Sequence, residues 1–268
     1  MLVLLPPSEG KTAPADGPSL DLGALSFPRL TATRDQLARA LVRLASGRPA
    51  RAAEVLGLGP TQSDAIEADA RLWDLPCAQA AEVYTGVLFG ELDLATLDQG
   101  ARDRASATVA VASALFGVLR IDDPIPAYRL SGSVSLPRLG PVASRWRDSL
   151  PRELTAATGD GLLIDLRSGT YVNLGKPQPE IADRTVTVRV LHEAGGVRKV
   201  VSHFNKATKG RLVRALLTSG AEPCSVGELV QVWSDLGWHV EQPDVVPGKP
   251  TQIDVVTTDA DHAAAATG

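Results

Sequence analysis

Six lysine and arginine residues lie between positions 194 and 221, a stretch without aspartate or glutamate. The chain has 268 residues and a net charge of −4, so the stretch differs in sign from the protein around it. A local excess of cations favours an anionic partner such as a phosphate or a carboxylate. The six are Arg198, Lys199, Lys206, Lys209, Arg211 and Arg214, and His203 joins them when protonated.

From residue 206 the stretch has helical spacing and is entered directly from a predicted strand. At about 100° per residue, the apolar residues form one buried face. They are Leu212, Val213, Leu216 and Leu217. Lys209 falls in the middle of that face and Lys206 at its edge, whereas Arg211 and Arg214 point toward solvent. The pattern predicts two lysines in the first turn of the helix, on its inward side.

Cations at a helix N-terminus are unfavourable, and a buried ammonium needs a partner. Anions are favoured at the same place. We therefore expect an anion to occupy a cleft beside Lys206 and Lys209. The alternatives are lysines that extend their ammonium groups to solvent, or internal pairing with Asp or Glu.

Two further segments carry groups that suit the same cleft. The loop PPSEGKT offers Lys11, although Leu5 stands where a Walker-type phosphate loop needs glycine, so a plain exposed loop remains an alternative. In LFGVLRIDDPIPAYRL, Arg129 could grip an oxyanion with two parallel hydrogen bonds, while Arg120 could do so or pair with a neighbouring aspartate. A lysine of lowered pKa at position 206, beside Tyr128 and Arg129, would form a catalytic set.

Residues 52–66, AAEVLGLGPTQSDAI, place two glycines between helical patterns. This resembles the helix-hairpin-helix motif, in which glycines permit a tight turn whose N–H groups meet a DNA phosphate. Gly57 and Gly59 would make that contact. A plain turn between helices fits the same residues.

Other classes of site find no support in the residue spacing. The four histidines lack metal-ligand spacing, and Cys77 and Cys224 form no recognisable metal or disulfide pattern. We predict neither a metal site nor a cofactor. The first residues lack a basic segment before their short apolar run, and no run is long enough to cross a membrane. A cytoplasmic protein without a membrane partner is expected, and the oligomeric state stays open.

Strand patterns occur at residues 2–5, 108–113, 162–166, 171–174, 185–191, 197–203, 239–241 and 253–256. Turn residues predict hairpins at 167–170 and 193–196. Helices are predicted at 33–45, from 206, and from a capping box at 225–228 to residue 236. The mixture predicts an α+β fold, a mixed sheet with hairpins and packed helices. We expect one domain over residues 1–258, with 35–75 as a possible helix-hairpin-helix subdomain and 259–268 as a flexible tail.

Five segments, in this order, resemble the landmarks of the YaaA family of peroxide-stress proteins. They are PPSEGKT, EVYTGV, ALFGVLRIDDPIPAYRL, LLIDLRSGTYVNL and HFNKATKGRLVR. The resemblance implies a cytosolic protein that limits iron-dependent oxidative damage and binds DNA through a basic cleft. It also implies a mixed α/β fold with a helix-hairpin-helix element. The residues that it places near the cleft are Lys11, Tyr84, Arg120, Tyr128, Arg129, Ser168, Tyr171, Asn205, Lys206, Gly210 and Arg211.

Three functions remain open at this level. The first is a protective protein whose cleft holds DNA phosphates. The second is an enzyme that acts on a small anionic or nucleotide-like substrate in the same cleft. The third, direct sequestration of iron, needs a group of histidine and carboxylate ligands that the spacing does not predict.

Overall fold

The computed structural model describes residues 1–200, 202–242 and 246–258, and for residues 202 and 203 the backbone alone. The tail predicted at residues 259–268 lies outside the described residues. Among the described helices, none combines the length and apolar character that a membrane crossing requires.

The strands alternate with helices along the chain. The strands are β1 (Leu2–Leu5), β2 (Ala78–Gln79), β3 (Val109–Ser113), β4 (Gly117–Arg120), β5 (Pro124–Ile125), β6 (Ser135–Leu136), β7 (Gly140–Pro141), β8 (Leu163–Asp165), β9 (Thr185–Ala194), β10 (Val197–Lys199), β11 (His239–Glu241) and β12 (Thr251–Thr257). The helices are α1 (Thr31–Ala45), α2 (Pro49–Leu56), α3 (Ser63–Ala70), α4 (Ala80–Val83), α5 (Val87–Leu92), α6 (Gln99–Thr108), α7 (Val142–Trp146), α8 (Leu150–Thr158), α9 (Gly169–Val172), α10 (Ser202–Ser219) and α11 (Val226–Asp235). Short 3-10 turns cover Pro28–Leu30, Pro60–Gln62, Leu94–Thr96 and Pro179–Arg184.

The main sheet has the strand order β11-β12-β9-β8-β1-β3-β4, and β10 pairs with β9. Its five central strands, from β12 to β3, run parallel. The pairings of β4, β10 and β11 are antiparallel. The predicted α+β class with a mixed sheet is therefore confirmed.

A crevice between β1 and β8 follows from the strand order. The chain leaves β1 toward β3 on one side, and it leaves β8 toward β9 on the other. Two connections that diverge in this way leave space at the carboxyl ends of the strands, where open parallel sheets bind their ligands. The segments that begin at Pro6 and Leu166 leave the sheet at this edge.

Burial explains why the central strands read as unbroken apolar runs. All four residues of β1 have no exposed surface, and the five of β3 are buried as well. A strand that is covered by helices on both faces has no polar face, so its sequence does not alternate. The strands predicted at residues 2–5, 108–113 and 239–241 are found almost within their predicted bounds.

Several local predictions are wrong. The hairpin turn predicted at residues 167–170 and the strand predicted at 171–174 are replaced by the short helix α9. There the guanidinium of Arg167 donates to the carbonyl oxygens of Tyr171 at 3.1 Å and Gly175 at 3.0 Å, which folds the chain back. The strand predicted at residues 197–203 ends at Lys199. The helix predicted from residue 206 begins at Ser202, so Lys206 and Lys209 lie beyond its first turn.

Helices α2 and α3 are joined by residues 57–62, the predicted glycine turn. Gly57 ends α2 with φ of 65°, a left-handed conformation that glycine adopts without a steric penalty. A small apolar cluster of Ala45, Ala52 and Ile66 lies beneath the turn, apart from the main core. A helix-hairpin-helix motif and a plain turn between helices share this arrangement.

Candidate functional site

A cleft of about 460 Å³ opens at the carboxyl ends of β1 and β8. Its walls come from the loop after β1, the start of α5, the segment after β8 and the first half of α10. The lining residues are Pro6, Pro7, Ser8, Glu9, Gly10, Thr85, Gly86, Val87, Leu88, Phe89, Leu166, Ser168, Tyr171, Asn205, Lys206 and Lys209. The crevice that the strand order creates is thus the one that carries the predicted lysines.

The loop after β1 is fixed by hydrogen bonds to the segment before α5. The Ser8 hydroxyl donates to the carbonyl oxygen of Gly10 at 2.5 Å and accepts from the N–H of Thr85 at 3.0 Å. Lys11 forms an isolated antiparallel bridge with Tyr84, and the N–H of Thr12 donates to Val83 at 2.9 Å. One wall of the cleft is therefore held in place before any ligand binds.

Lys209 supplies a buried cation to the opposite wall. Its residue surface is 9% exposed, and Nζ lies 3.5 Å from the carbonyl oxygen of Leu166. Burial lowers its pKa, and the nearby carboxylate of Asp165 partly opposes that shift. Asp165 is bound to Arg167 by two hydrogen bonds of 2.8 and 2.7 Å, and among the described residues no hydrogen bond or ion pair joins it to Lys209.

Two neighbours on α10 complete the polar part of this wall. Lys206 is exposed at the cleft. The Asn205 Oδ1 atom is buried and has no hydrogen-bond partner among the described residues. A buried amide oxygen without a partner costs free energy, and a ligand that donates a hydrogen bond would remove that cost.

Behind the loop after β1 lies a second group of charges, formed by Lys11, Asp69 and Arg129. Asp69 is the next-to-last residue of α3 and has no exposed surface. Its Oδ1 accepts from the backbone N–H of Arg129 at 2.9 Å, while Oδ2 is without a partner among the described residues. Burial raises the pKa of Asp69 to about 7, although the Arg129 N–H and the charges of Lys11 and Arg129 counteract it.

Lys11 has the opposite shift for the same reason. Burial and the positive charge of Arg129 lower its pKa to about 8, while Asp69 and Glu9 act in the other direction. Its Nζ donates to the carbonyl oxygen of Ser8 at 3.1 Å. The ammonium lies over the ring of Tyr128, at 4.3 Å from the centroid.

The tyrosines beneath Lys11 form a hydrogen-bonded chain with Ser113. The hydroxyl groups of Tyr84 and Tyr128 are 2.9 Å apart, and the Tyr128 hydroxyl is 2.7 Å from Ser113 Oγ. Burial raises the pKa of both tyrosines, so both stay protonated near neutral pH. Tyr128 does not line the cleft, whereas Tyr171 does.

Arg129 is close to the cleft but bound to a residue of its wall. Its guanidinium donates to the Glu9 carboxylate at 2.8 Å and to the Glu9 carbonyl oxygen at 3.2 Å. The Glu9 side chain is 75% exposed, so an anion that reaches Arg129 from solvent would compete with it.

Seven of the ten predicted site residues are not among those that line the cleft: Lys11, Tyr128 and Arg129 lie behind the loop after β1, and Arg120, Arg211, Gly57 and Gly59 lie elsewhere. The guanidinium of Arg120 lies 5.5 Å from the ring of Phe27, and its pKa is lowered by burial. Arg211 lies 3.6 Å from the carboxylate of Glu91 on α5. In the turn after α2, the N–H of Gly57 donates to Glu54 at 3.3 Å, and that of Gly59 donates to the Gln62 side chain at 3.0 Å.

A separate basic groove lies between α1, the start of α2 and the turn that joins β6 to β7. Its volume is about 390 Å³, and its arginines are Arg43, Arg48, Arg51 and Arg138. Arg51 pairs with Glu54 at 2.7 Å. Within the described part of the chain, the guanidinium groups of Arg43, Arg48 and Arg138 make no hydrogen bond or ion pair. The spacing of the four arginines in the sequence does not predict that they line one groove.

Asp69 was not predicted as a site residue, although its spacing from an apolar residue of the same helix indicates that it is buried. In SDAIEADA it stands three positions after Ile66, on the inward face of α3. No group of three or more histidine, cysteine, aspartate or glutamate side chains suited to a metal ion occurs among the described residues.

Comparisons with known proteins give the family. The family model described as "Peroxide stress protein YaaA" matches residues 1–243. A UPF0246 protein of Streptomyces coelicolor is 48% identical over 257 residues, which cover 96% of this chain and 98% of the relative. UPF0246 proteins of Corynebacterium efficiens and Corynebacterium glutamicum are 42% and 40% identical, each over 90% of this chain and 95% of the relative. As its ordered motifs predict, the chain belongs to the YaaA family of peroxide stress proteins.

Proposed function

We propose that this protein acts in peroxide stress by binding a small phosphate-bearing anion in the cleft. The observation that carries the proposal is Lys209, a nine-tenths buried cation in the cleft wall. The hydrogen bond from its ammonium to the Leu166 carbonyl oxygen is long, at 3.5 Å, and Asp165 is engaged with Arg167. A buried ammonium is costly unless it is paired, and a bound phosphate would provide the missing negative charge.

The remaining cleft residues support a ligand of nucleotide size and character. The volume of about 460 Å³ falls within the range typical of small-molecule sites. Lys206 and Ser168 offer hydrogen-bond donors for phosphate oxygens, while Asn205 Oδ1 would accept from a donor elsewhere on the ligand. Phe89 and Tyr171 add aromatic surface, against which a planar part of the ligand could pack.

Calorimetric titration with pyrophosphate tests the proposal directly. Lys209→Met should weaken binding at least about tenfold, because a charged hydrogen bond is lost. Lys249→Met, which changes an exposed lysine outside the cleft, should bind as the wild type does. If pyrophosphate fails to bind, or if both variants bind equally well, the cleft is not a phosphate site.

The arginine groove supports a second function, the binding of DNA. Arg43, Arg48 and Arg138, whose guanidinium groups form no ion pair with any residue that the structure describes, lie beside α2, the first helix of the predicted helical hairpin. Arginine forks suit phosphate oxygens, and such contacts are independent of base sequence. In this proposal the groove supplies the phosphate contacts, because the N–H groups of Gly57 and Gly59 already donate to Glu54 and Gln62.

Salt dependence of duplex binding tests this second function. Each arginine that neutralises a phosphate contributes about one to the slope of log affinity against log salt. Arg43→Ala and Arg138→Ala should each weaken binding and lower the slope, whereas Arg152→Ala, at an exposed position outside the groove, should not. An affinity that does not change with salt would exclude phosphate contacts as the main contribution.

DNA binding of this kind provides a route to protection from iron. A protein that neutralises phosphates releases the cations condensed on the duplex, and ferrous iron would be among them. Plasmid exposed to ferrous iron and peroxide should then break less in the presence of the wild type than of Arg43→Ala/Arg138→Ala. Equal breakage with both proteins would show that protection of DNA from iron and peroxide does not depend on this groove.

A further inference from the structure

We propose that the ligand of the cleft is a ribonucleoside 5′-phosphate, and that the amide of Asn205 recognises a hydroxyl group of its ribose. The inference rests on the phosphate site proposed above and adds to it the chemical class of the ligand. It also assigns a role to Asn205, a residue of α10 that lines the cleft.

The first argument is the position of Asn205 beside a cationic residue of the cleft. Asn205 and Lys209 are four positions apart on α10, and both line the cleft. Residues with this spacing are neighbours on one face of a helix, with about 5–6 Å between their Cβ atoms. A ligand whose phosphate meets the Lys209 ammonium therefore brings its neighbouring atoms to the Asn205 amide.

The second argument is the acceptor of this amide. The Oδ1 atom of Asn205 is buried and accepts no hydrogen bond from any residue that the structure describes. Farther along α10, Thr218 and Ser219 satisfy their hydroxyl groups by donating to carbonyl oxygens of the same helix. An amide oxygen cannot do this because it carries no proton, so its partner must come from outside the helix.

Two other acceptors of the cleft lining already have donors. The Glu9 carboxylate accepts from the Arg129 guanidinium at 2.8 Å, and the Leu166 carbonyl oxygen accepts from Lys209 at 3.5 Å. The ammonium groups of Lys206 and Lys209 can donate but cannot accept. The cleft thus offers cations for a phosphate and, one helical turn away, an acceptor that needs a hydrogen-bond donor.

A ribonucleoside 5′-phosphate meets both requirements. Its phosphate oxygens accept from ammonium groups, whereas the 2′ and 3′ hydroxyl groups of ribose can donate. These hydroxyls are the donors nearest to the phosphate, because the amino groups of the base lie beyond the sugar. Tyr171, which is partly exposed in the cleft lining, provides aromatic surface on which a base can stack.

The same requirement disfavours DNA as the occupant of the cleft. An internal nucleotide of DNA has no sugar hydroxyl, because its 2′ carbon bears only hydrogen and its 3′ oxygen is esterified. A DNA strand in the cleft would leave Asn205 Oδ1 without a donor from the sugar, and the cost of the unpaired oxygen would remain. The cleft is therefore assigned to a free nucleotide, and duplex binding is left to the arginine groove.

Calorimetric titration with three ligands tests the inference. Adenosine 5′-monophosphate carries the ribose hydroxyls, its 2′,3′-dideoxy analogue lacks both, and pyrophosphate lacks the sugar altogether. The wild type should bind adenosine monophosphate about tenfold more tightly than the dideoxy analogue, because the analogue leaves a buried acceptor unpaired. Equal affinities in the wild type would overturn the ribose contact, and this comparison does not depend on the folding of any variant.

Three variants test which residue is responsible. Asn205→Leu removes the acceptor at similar size, so it should bind the two adenosine phosphates equally and pyrophosphate as the wild type does. Lys209→Met should weaken all three ligands and keep the preference for the hydroxyls. Asn173→Leu, at an exposed position outside the cleft, should behave as the wild type. If the preference for the hydroxyls survives in Asn205→Leu, Asn205 is not the residue that recognises them.

Pyrophosphate separates this inference from the ligand site on which it rests. If pyrophosphate binds but the two adenosine phosphates are not distinguished, the ribose contact is wrong and the phosphate site stands. If none of the three ligands binds, the phosphate site is wrong and the inference fails with it. Ribose 5-phosphate carries the hydroxyls without the base and should bind more weakly than adenosine monophosphate. Equal affinity of these two ligands would contradict the assignment of a nucleoside.

Discussion

The carboxylate of Asp69 at the end of α3 accepts a hydrogen bond of 2.9 Å from the backbone N–H of Arg129, 60 positions later in the chain. This contact connects the helical hairpin to the loop behind the cleft. Because the side chain of Arg129 binds Glu9 in the cleft wall, the same residue contacts both regions. The hairpin and the cleft are thus linked through a single buried carboxylate.

We expect Asp69→Asn to change how stability depends on pH. The folded-state pKa of about 7 lies above the unfolded value of 3.8, so the contribution of Asp69 is fully present below pH 3.8 and is lost as pH rises through 7. A shift of this size corresponds to roughly 4 kcal/mol. Urea unfolding at pH 4, 5.5 and 7 should show a smaller decline for the variant than for the wild type. Parallel curves would mean that Asp69 is not protonated in this range.

The tyrosine chain predicts an order of stabilities for two matched variants. Tyr128→Phe removes the central hydroxyl, which is bonded to both Tyr84 and Ser113, and should cost on the order of 1–3 kcal/mol of unfolding free energy. Tyr84→Phe removes a terminal hydroxyl and should cost less. Chemical denaturation measures both values. A larger loss for Tyr84→Phe would contradict the chain as described.

Close packing between α10 and α5 predicts that Gly210 does not tolerate alanine. A Cβ atom there would lie 2.4 Å from the carbonyl oxygen of Leu88, which lines the cleft. Gly210→Ala should therefore destabilise the protein by about 1–3 kcal/mol through overpacking, despite the better helix propensity of alanine. It should also weaken pyrophosphate binding, because both helices form the cleft.

A glycine in α11 provides the control for that substitution. A Cβ atom at Gly227 meets no heavy atom within 4 Å. Gly227→Ala should raise the unfolding free energy, by at most about 1 kcal/mol. If the two alanine variants have the same stability in thermal unfolding, the close approach at Gly210 is not the cause of any loss.

Backbone strain at Arg138 predicts a trade between stability and binding. This residue has φ of 64° in the turn between β6 and β7, a conformation that costs a non-glycine residue about 1–2 kcal/mol. Arg138→Gly removes the strain and should unfold at equal or higher denaturant than Arg138→Ala, which keeps it. Both should bind duplex DNA more weakly than the wild type. A less stable glycine variant would show that the arginine conformation is unstrained.

Periodicity and turn residues were sufficient to predict much of the fold. The apolar run at residues 2–5 predicted β1, because a strand that is buried on both faces carries apolar residues throughout. The glycine pair at 195–196 predicted the hairpin of β9 and β10, because the two glycines adopt the positive φ values, 57° and 75°, that the turn requires. Ser225 and Glu228 predicted the start of α11, and the Ser225 hydroxyl does accept the Glu228 N–H at 3.2 Å. The parallel order of the central strands depends on long-range pairing, which spacing does not encode.

The candidate site was predictable only in part. Lys209 was placed correctly on the buried face of its helix, since the period of a helix fixes which residues share a face. The first-turn position was wrong because the helix boundary depended on residues 202–205, which have no apolar spacing. Asp69 and the arginine groove depend on contacts between distant segments, and a hydrogen bond across 60 positions leaves no local pattern.

The place of β1 in the sheet has a consequence for synthesis on the ribosome. β1 leaves the exit tunnel before both of its neighbours in the sheet, β3 and β8. Because β8 ends at Asp165, one side of β1 stays without its backbone partners until 160 further residues have been added. The apolar residues of β1 are therefore open to contacts with other hydrophobic surfaces during this part of synthesis.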